Sequence, residues 1–228
     1  MTIKYDGWEL IAFDKASNFR EYQLQLISKF IAGDTAEIGP GRGSVVNNYI
    51  KKIKSLELYE PSSNLYYLLK KRYKFNKKIK VINNTFKKNQ KKFNTIIYFD
   101  VLEHIQDDKD EINIALSNLK KNGYLIINVP AFNQLYSEFD KEVGHFKRYQ
   151  KKDFEKILDR KKYQKIEMKY YDSFGFILAL LSRIFRLNFR KNFKDKIVFW
   201  NSLIPLSKIF DKLTFNLFGK SLMIVIKK

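Results

Sequence analysis

The chain has 228 residues, 45% of them hydrophobic, which is sufficient for one α/β domain with a substantial core. It contains no cysteine, so disulfides, thiolate zinc sites and cysteine nucleophiles are excluded. The formal net charge of +20 comes mostly from lysines scattered among Asn and Ile. This pattern favours a solvated surface over an anionic membrane or lipid substrate, and nucleic acid is the least favoured partner.

Strand and helix patterns alternate along the chain after a predicted N-terminal helix from Asn18 to Ala32. The predicted strands are Thr35–Ile38, Leu56–Tyr59, Lys80–Asn83, Asn94–Phe99, Tyr124–Val129, Lys165–Tyr171 and Ser221–Ile226. Between them, helices are predicted at Ser44–Ile53, Asn64–Tyr73, Asp107–Leu119 and Lys152–Leu158. Such alternation indicates an α/β fold with a Rossmann-like, doubly wound, seven-stranded and mostly parallel sheet.

The segment 173–219 breaks this alternation and is predicted as an α-helical insertion between strands six and seven of one domain spanning 1–228. Its first part is apolar on nearly all faces, and Arg183, Arg186 and Arg190 follow among apolar residues that include Leu187 and Phe189. Two interpretations are open: a buried cap helix, or an interfacial helix that contacts anionic lipid. We expect the insertion to cover the end of a cleft at which an acceptor substrate would bind.

The chain shows neither an apolar signal core at its N-terminus nor the roughly 20 apolar residues of a membrane-spanning helix. The expected location is therefore the cytoplasm. Peripheral contact with the inner face of the membrane is the alternative.

Three glycines at alternate positions follow the first predicted strand. Gly39, Gly41 and Gly43 come directly after Ile38, and a helix pattern starts at Ser44. Glycine is required where the backbone adopts positive φ or approaches a ligand closely. A strand that leads through such a loop into a helix N-terminus is typical of a nucleotide-cofactor site.

Two acids discriminate between the possible cofactors. Glu37 precedes the loop, and Glu60 follows the second strand, where it is placed to bind ribose hydroxyls. The third glycine comes one residue too early for a dinucleotide fingerprint, with Ser44 at the fingerprint position. Two carboxylates would repel a pyrophosphate but suit a cationic ligand that carries a ribose. S-adenosylmethionine fits this description, and an NAD-dependent oxidoreductase is the less favoured alternative.

Four further segments share motifs with one enzyme family. They are Asp100–Ile105 with Asp107 and Asp108, Lys120–Leu125, Leu135–Asp140 with Gly144–Tyr149, and Phe218–Met223. The chain resembles the class I S-adenosylmethionine-dependent methyltransferases of the type 11/12 group. The third segment is similar to an LY…D…GHxRRY element in one bacterial branch. The second resembles an LKPGG turn, from which Lys121 and Asn122 depart.

The resemblance implies S-adenosylmethionine as cofactor and S-adenosylhomocysteine as product. The implied cofactor-binding residues are Glu37, Gly39, Gly41 and Gly43 in the loop, Glu60 at the ribose, and Phe99 and Asp100 near the adenine or the sulfonium. Members of the family usually have an acid after the third strand that bonds the adenine amino group. Here the run is Asn83-Asn84-Thr85, so an amide or a hydroxyl is expected in this role, with Asn84 as the candidate.

Candidates for acceptor chemistry lie after the fifth strand. They are Tyr136, Asp140, His145 and Tyr149 as catalytic residues and Arg148 as a substrate-binding residue. His145 is the best base by intrinsic pKa, although it could equally fix the loop by hydrogen bonds. Arg148 could bind an anionic acceptor or brace Asp140.

A divalent metal site is a further alternative. Asp100, Glu103 and His104, with His145 as a fourth ligand, match a pattern in methyltransferases that act on quinone precursors or RNA 3′ ends. Glu103 and His104 could instead cap the following helix, and no metal is expected.

The predicted function is methyl transfer by in-line displacement to a small-molecule, glycan or lipid-linked acceptor. The alternatives are a metal-assisted RNA or quinone-precursor O-methyltransferase and a non-catalytic relative that binds lipid or nucleic acid.

Overall fold

A seven-stranded sheet forms the centre of the structure, a computed structural model that describes residues 5–88, 91–158, 163–186, 188 and 190–228. Its strands are β1 (Gly33–Ile38), β2 (Ile53–Tyr59), β3 (Ile79–Ile82), β4 (Phe93–Phe99), β5 (Leu119–Pro130), β6 (Lys165–Tyr171) and β7 (Ser221–Lys227). The strand order is β3-β2-β1-β4-β5-β7-β6, and only β7 runs antiparallel to its neighbours. The predicted fold class is confirmed.

Helices cover both faces of the sheet. They are α1 (Trp8–Phe13), α2 (Ser17–Ile27), α3 (Val46–Tyr49), α4 (Ser63–Arg72), α5 (Asp108–Ser117), α6 (Glu138–Glu142), α7 (Lys151–Ile157), α8 (Ser173–Ile184) and α9 (Phe193–Leu213). Helices α1 and α6 were not predicted. Helices α8 and α9 lie in the segment predicted as the insertion, whose Leu187 and Phe189 are outside the described residues.

Three helix predictions were wrong at their ends. The predicted helix Asn18–Ala32 ends as α2 at Ile27 and continues only as a 3₁₀ turn to Phe30. The predicted helix Ser44–Ile53 is reduced to α3 and a short 3₁₀ turn, because Ile53 already pairs with Gly33 in the sheet. The predicted helix Asp107–Leu119 ends at Ser117, and Leu119 pairs with Phe93 instead. The helical spacing of apolar residues predicts that Leu119 is buried, and it is. Its burial, however, comes from strand pairing rather than from helix packing.

Strand β4 shows why the sheet needs helices on both faces. Its side chains alternate, as the strand period of two requires. Ile96 and Tyr98 belong to the hydrophobic cluster that includes α5 and α7 residues, whereas Ile97 and Phe99 belong to the cluster with α2, α3 and α9. All four are buried, which is expected for a central parallel strand.

Asn201 fastens α9 to α2. Its Oδ1 accepts a hydrogen bond from Phe19 N at 3.0 Å, in the first turn of α2, where backbone N–H groups have no intrahelical partner. Pro205 cannot donate to the carbonyl of Asn201, and Asn18 Nδ2 donates to that oxygen instead at 3.1 Å. Each helix thus satisfies a backbone group that the other leaves open.

We expect Asn201→Ala to lower the free energy of unfolding by about 1–2 kcal/mol, since Phe19 N loses its buried acceptor. Urea unfolding followed by circular dichroism measures the change. The matched control is Asn48→Ala at an exposed position, which should stay within about 0.5 kcal/mol of wild type. Equal unfolding midpoints for the two variants would contradict this function of Asn201.

Candidate active site

A cavity of about 520 Å³ lies at the carboxyl ends of β1, β2 and β4. The strand order reverses between β1 and β4, and open α/β sheets bind ligands at such a switch point. Loops after the strands contribute Gly39, Gly41, Glu60, Thr85, Asp100 and Val101, among other residues, to its wall. Helices α1, α2 and α9 contribute Leu10, Arg20 and Trp200.

The three loop glycines all have positive φ, between 58° and 71°. At Gly39 a Cβ atom would lie 2.7 Å from Val101 Cγ2, and at Gly43 it would lie 2.8 Å from Tyr73 Oη. Gly39 and Gly41 line the cavity. Gly43 is not among the lining residues and packs against α4, so the structure assigns it to loop packing rather than to the cavity wall.

The Glu60 carboxylate is fixed by backbone donors. Its Oε2 accepts from Gly41 N at 3.1 Å, and its Oε1 accepts from Ser62 N at 2.9 Å. Glu60 is only 4% exposed, and burial raises the pKa of its carboxyl to about 7. The side chain therefore ties the glycine loop to the end of β2 and faces the cavity with oxygens that can accept further bonds.

Glu37 is the second carboxylate in this part of the wall. It is 2% exposed and accepts a hydrogen bond from the Tyr49 hydroxyl. Burial raises the pKa of Glu37 to about 7, although the Tyr49 bond and the charge of Arg20 oppose this rise. A cation or a hydrogen-bond donor in the cavity would favour its ionised form.

The predicted cofactor residues after β4 line the cavity, whereas the one after β3 does not. Phe99 and Asp100 line the cavity, and Asp100 has a φ of 56°. Asp100 Oδ1 accepts from Asn128 Nδ2 at 2.6 Å, and its Oδ2 lies 3.4 Å from Arg20 Nη1. Asn84, the expected adenine contact, is exposed and is not among the lining residues, whereas its neighbour Thr85 is.

A buried ionic cluster joins three of the predicted acceptor-side residues. Asp140 Oδ1 accepts from His145 Nδ1 at 2.8 Å and from Arg148 Nε at 2.9 Å, and its Oδ2 accepts from Arg148 Nη2 at 3.1 Å. Burial disfavours the charge, but these bonds outweigh it and lower the pKa of Asp140 to about 2. Because an ionised carboxylate only accepts, His145 Nδ1 donates and its Nε2 is left to accept.

His145 and Arg148 line the cavity, but Asp140 does not. Tyr136 and Tyr149 were predicted to be catalytic, which requires that they line the cavity. Neither residue is among those that line it. Tyr136 donates to the His145 carbonyl at 2.7 Å, and Tyr149, which is buried, donates to Asp108 Oδ2 at 2.9 Å. Both hydroxyls hold the loop that carries His145.

The metal pattern is present in part. Glu103, His104 and His145 each offer one ligand atom, and these atoms lie within 4.8 Å of one another. Both carboxylate oxygens of Glu103 are buried without a hydrogen-bond partner among the described residues, and burial raises the pKa of this group well above its usual value. Burial lowers the pKa of His104 to about 4, so its ring is neutral near pH 7. Asp100 does not join them, since Asn128 and Arg20 bind its carboxylate.

Trp200 and Lys220 are two of the wall residues that sequence reasoning missed. Trp200 Nε1 donates to Asp172 Oδ2 at 2.7 Å, and Lys220 Nζ lies 4.1 Å from the centre of the Trp200 ring. Among the described residues, none accepts a hydrogen bond from this Nζ, and burial lowers the pKa of the amine. The resemblance of Phe218–Met223 to a family motif was the one signal that included Lys220.

The insertion reaches the cavity through α9. Trp200 lines it, and Phe193 stacks on Phe139, another lining residue, with ring centres 5.6 Å apart. Arg183, Arg186 and Arg190 do not line the cavity, and Arg190 binds Glu142 instead. The part of the insertion that lines the cavity is thus α9, and the three arginines are not part of the wall.

Comparisons with known proteins agree with this geometry. The family model described as "Methyltransferase domain" matches residues 19–168, and no curated protein matches the chain. Phosphoethanolamine N-methyltransferase 2 of Haemonchus contortus, in complex with phosphomonomethylethanolamine and S-adenosylhomocysteine, aligns with a TM-score of 0.63 at 15% identity. The alignment covers 95% of this chain but only 56% of that one.

Two further solved structures share the fold. A SAM-dependent methyltransferase from Archaeoglobus fulgidus aligns with a TM-score of 0.61 at 14% identity, over 97% of this chain and 100% of that one. N-methyltransferase NodS from Bradyrhizobium japonicum WM9, in complex with S-adenosylhomocysteine, aligns with a TM-score of 0.58 at 13% identity, over 93% and 87%. The family model covers more than half of the chain, and the chain belongs to the class I S-adenosylmethionine-dependent methyltransferases.

Proposed function

We propose that this enzyme transfers a methyl group to a small-molecule, glycan or lipid-linked acceptor that carries an anionic group. The observation that carries the proposal is the position of Lys220, a partly buried cation in the cavity wall with no described hydrogen-bond acceptor. Asp172, Asp100 and Asp140 favour its charge, but no described group accepts a hydrogen bond from the ammonium, and an anionic ligand would supply that acceptor. The neighbour from Haemonchus contortus contains a phosphorylated ligand, phosphomonomethylethanolamine.

The residues around Glu60 suit S-adenosylmethionine. Gly39 and Gly41 have no side chains, so their backbone atoms are accessible along the cavity. A Cβ atom at Gly39 would in addition collide with Val101. Glu60 would accept from the ribose hydroxyls, and Glu37 would face the cationic part of the ligand. These four residues line the cavity, which argues against a non-catalytic relative, and two carboxylates beside the loop disfavour a dinucleotide pyrophosphate.

When bound, S-adenosylmethionine supplies a methyl group that is already activated by the sulfonium. The task of the protein is then to align the acceptor and exclude water. Trp200 and Phe139 provide apolar cover, and Lys220 would orient the acceptor by binding the anionic group that the acceptor carries. If the attacking group must lose a proton, His145 Nε2 is placed to accept it, and the bond from Nδ1 to Asp140 would stabilise the imidazolium that forms.

Arg148 is assigned a different function from the one first expected. Two of its nitrogen atoms bind Asp140 and its side chain is buried, so its charge is already compensated. We infer that Arg148 braces Asp140 and that Lys220 makes the contact with the acceptor.

A second candidate function is metal-assisted O-methyl transfer, which the Glu103, His104 and His145 cluster favours. The unpartnered oxygens of Glu103 would be satisfied by a divalent cation. We rank it second because Asp100, one of the expected ligands, is bound to Asn128 and Arg20 instead.

We expect S-adenosylhomocysteine to bind wild-type protein and Glu60→Gln to weaken it by about 10- to 100-fold, because hydrogen bonds to a charged group contribute roughly 1.5–3 kcal/mol. Isothermal titration calorimetry measures this, with the exposed Glu21→Gln as matched control. Tighter binding of NAD than of S-adenosylhomocysteine would overturn the assignment.

The same titrations should depend on pH. The pKa of Glu60 is raised to about 7 in the free protein, and ribose hydroxyls favour its ionised form. Binding at pH 6 should therefore release protons, and affinity should rise with pH up to neutrality. Calorimetry in buffers of different ionisation enthalpy counts these protons, and Glu60→Gln should release fewer. An unchanged proton count in that variant would show that Glu60 does not contact the ligand.

Lys220→Met should lower kcat/KM for the acceptor by about tenfold or more and leave the KM for S-adenosylmethionine within about threefold, since a charged contact is lost only on the acceptor side. The assay follows the labelled methyl group into aqueous and lipid fractions of cell extracts. Lys77→Met, at an exposed position far along the sheet, is the control, and Lys220→Arg should retain part of the activity. Equal activity of Lys220→Met with anionic acceptors would contradict the assignment.

We expect methyl transfer to survive treatment with EDTA, because the three clustered ligands lack the carboxylate of Asp100. The measurement is the initial rate before and after chelation, with added Mg²⁺ and Mn²⁺ as a separate arm. Loss of activity on chelation that either metal restores would select the second candidate function.

A further inference from the structure

The outer side of the insertion carries an unusual concentration of exposed apolar side chains. Of the sixteen large hydrophobic residues that are exposed in the described part of the chain, twelve lie between residues 177 and 217. We define the α8–α9 surface by six of them, which are 58% to 84% exposed: Ile184, Phe185, Phe199, Ile209, Leu213 and Phe215. Monomeric soluble proteins rarely expose apolar patches of this kind unless the patch binds something.

The positions of these side chains follow the helix period. On α8, the exposed residues Ile177, Leu181 and Ile184 are spaced four and three residues apart, so they form one stripe. On α9 the opposite stripe, which includes Trp200 and Ile204, packs against the rest of the protein. The exposed stripe is therefore a second apolar face of a helix whose first face is already buried.

Charge identifies the kind of partner. Residues 173–219 contain eight basic residues and two acids, Asp195 and Asp211. Asp211 is buried and accepts from the Tyr22 hydroxyl and from the backbone of Asp172 and Ser173, so it does not offset the outer charge. The basic residues are Arg183, Arg186, Arg190, Lys191, Lys194, Lys196, Lys208 and Lys212. Arg190 is already paired with Glu142, which leaves seven for an outside partner.

We propose that the α8–α9 surface docks on an anionic lipid bilayer, with the apolar stripe at the headgroup and acyl boundary and the basic residues on lipid phosphates. This combination of an apolar face and a cationic border is the pattern of interfacial helices. Nucleic acid would satisfy the cations but would leave the apolar stripe exposed. Among the residues that the structure describes, no helix is both long and apolar enough to cross a bilayer, so the contact is peripheral.

Docking would also bring the cavity close to lipid. Helix α9 lines the cavity with Trp200, and Phe199, the preceding residue, belongs to the outer surface. The docking itself does not rest on the proposed function. If both hold, a lipid-linked acceptor is the class of substrate that this arrangement favours.

The test is co-sedimentation of the full chain with vesicles of phosphatidylcholine alone or mixed with phosphatidylglycerol. We expect binding to the mixed vesicles to be about tenfold or more tighter and to weaken at high salt. The triple variant Phe199→Ser, Ile209→Ser, Leu213→Ser and the double variant Arg183→Gln, Arg186→Gln should each lose about tenfold or more. Phe75→Ser with Lys77→Gln is the matched control, since Phe75 is 89% exposed near the opposite edge of the sheet, and it should bind as wild type does.

Affinity for S-adenosylhomocysteine, measured by calorimetry on each variant, reports that the fold and the cofactor site are intact and separates failure of docking from failure of the proposed function. Equal binding to neutral and anionic vesicles, or unchanged binding by both surface variants, would overturn the proposal. So would a wild-type dimer in light scattering that the triple variant converts to monomers, because the surface would then serve a second copy of the chain.

Discussion

The hydrogen bond from Gly41 N–H to the Glu60 carboxylate is the interaction on which the site depends. It joins a loop after β1 to a side chain after β2, nineteen residues later, and it can form only because the two strands are parallel neighbours with Ile38 opposite Tyr59. The glycines give the loop its positive φ angles, and the sheet gives Glu60 its position. The two conditions come from separate parts of the sequence and meet at the carboxyl edge of the sheet.

Several buried acids line or support the cavity, and the surroundings of four of them can be compared. Asp140 accepts hydrogen bonds from His145 and Arg148, whereas the carboxylate of Glu103 has no hydrogen-bond partner among the described residues. Glu37 and Glu60 lie between these cases, each with donors but with a raised pKa. Uncompensated burial destabilises a fold, so its concentration in one cavity indicates that ligands supply the missing partners.

Features that depend on short patterns and on strand order could be predicted from the sequence. Gly39, Gly41 and Glu60 are examples, because they directly follow two predicted parallel strands whose carboxyl ends meet at the same edge of the sheet. The position of His145 beside Asp140 was also accessible, since the two residues are close in the chain, one in α6 and the other just after it. Tyr136 and Tyr149 have the right chemistry, but their hydroxyls bind the loop and a buried acid, which only the packed structure shows.

Long-range packing determined the residues that could not be predicted. Trp200 reaches the cavity because Asn201 holds α9 against α2. Lys220 does so because the turn before β7 brings its Nζ to 4.1 Å from the centre of the Trp200 ring. Thr85 rather than Asn84 lines the wall, a difference of one residue in a loop without a regular period. Helix α9 is thus the element that sequence patterns described least well, although it links the cavity to the outer apolar surface.

A crystal structure of the protein with S-adenosylhomocysteine would test the assignment of the cofactor site most directly. We predict density for the nucleoside along Gly39 and Gly41, with both ribose hydroxyls bonded to Glu60. Density for the ligand outside this cavity, or inside it with the ribose away from Glu60, would contradict the assignment.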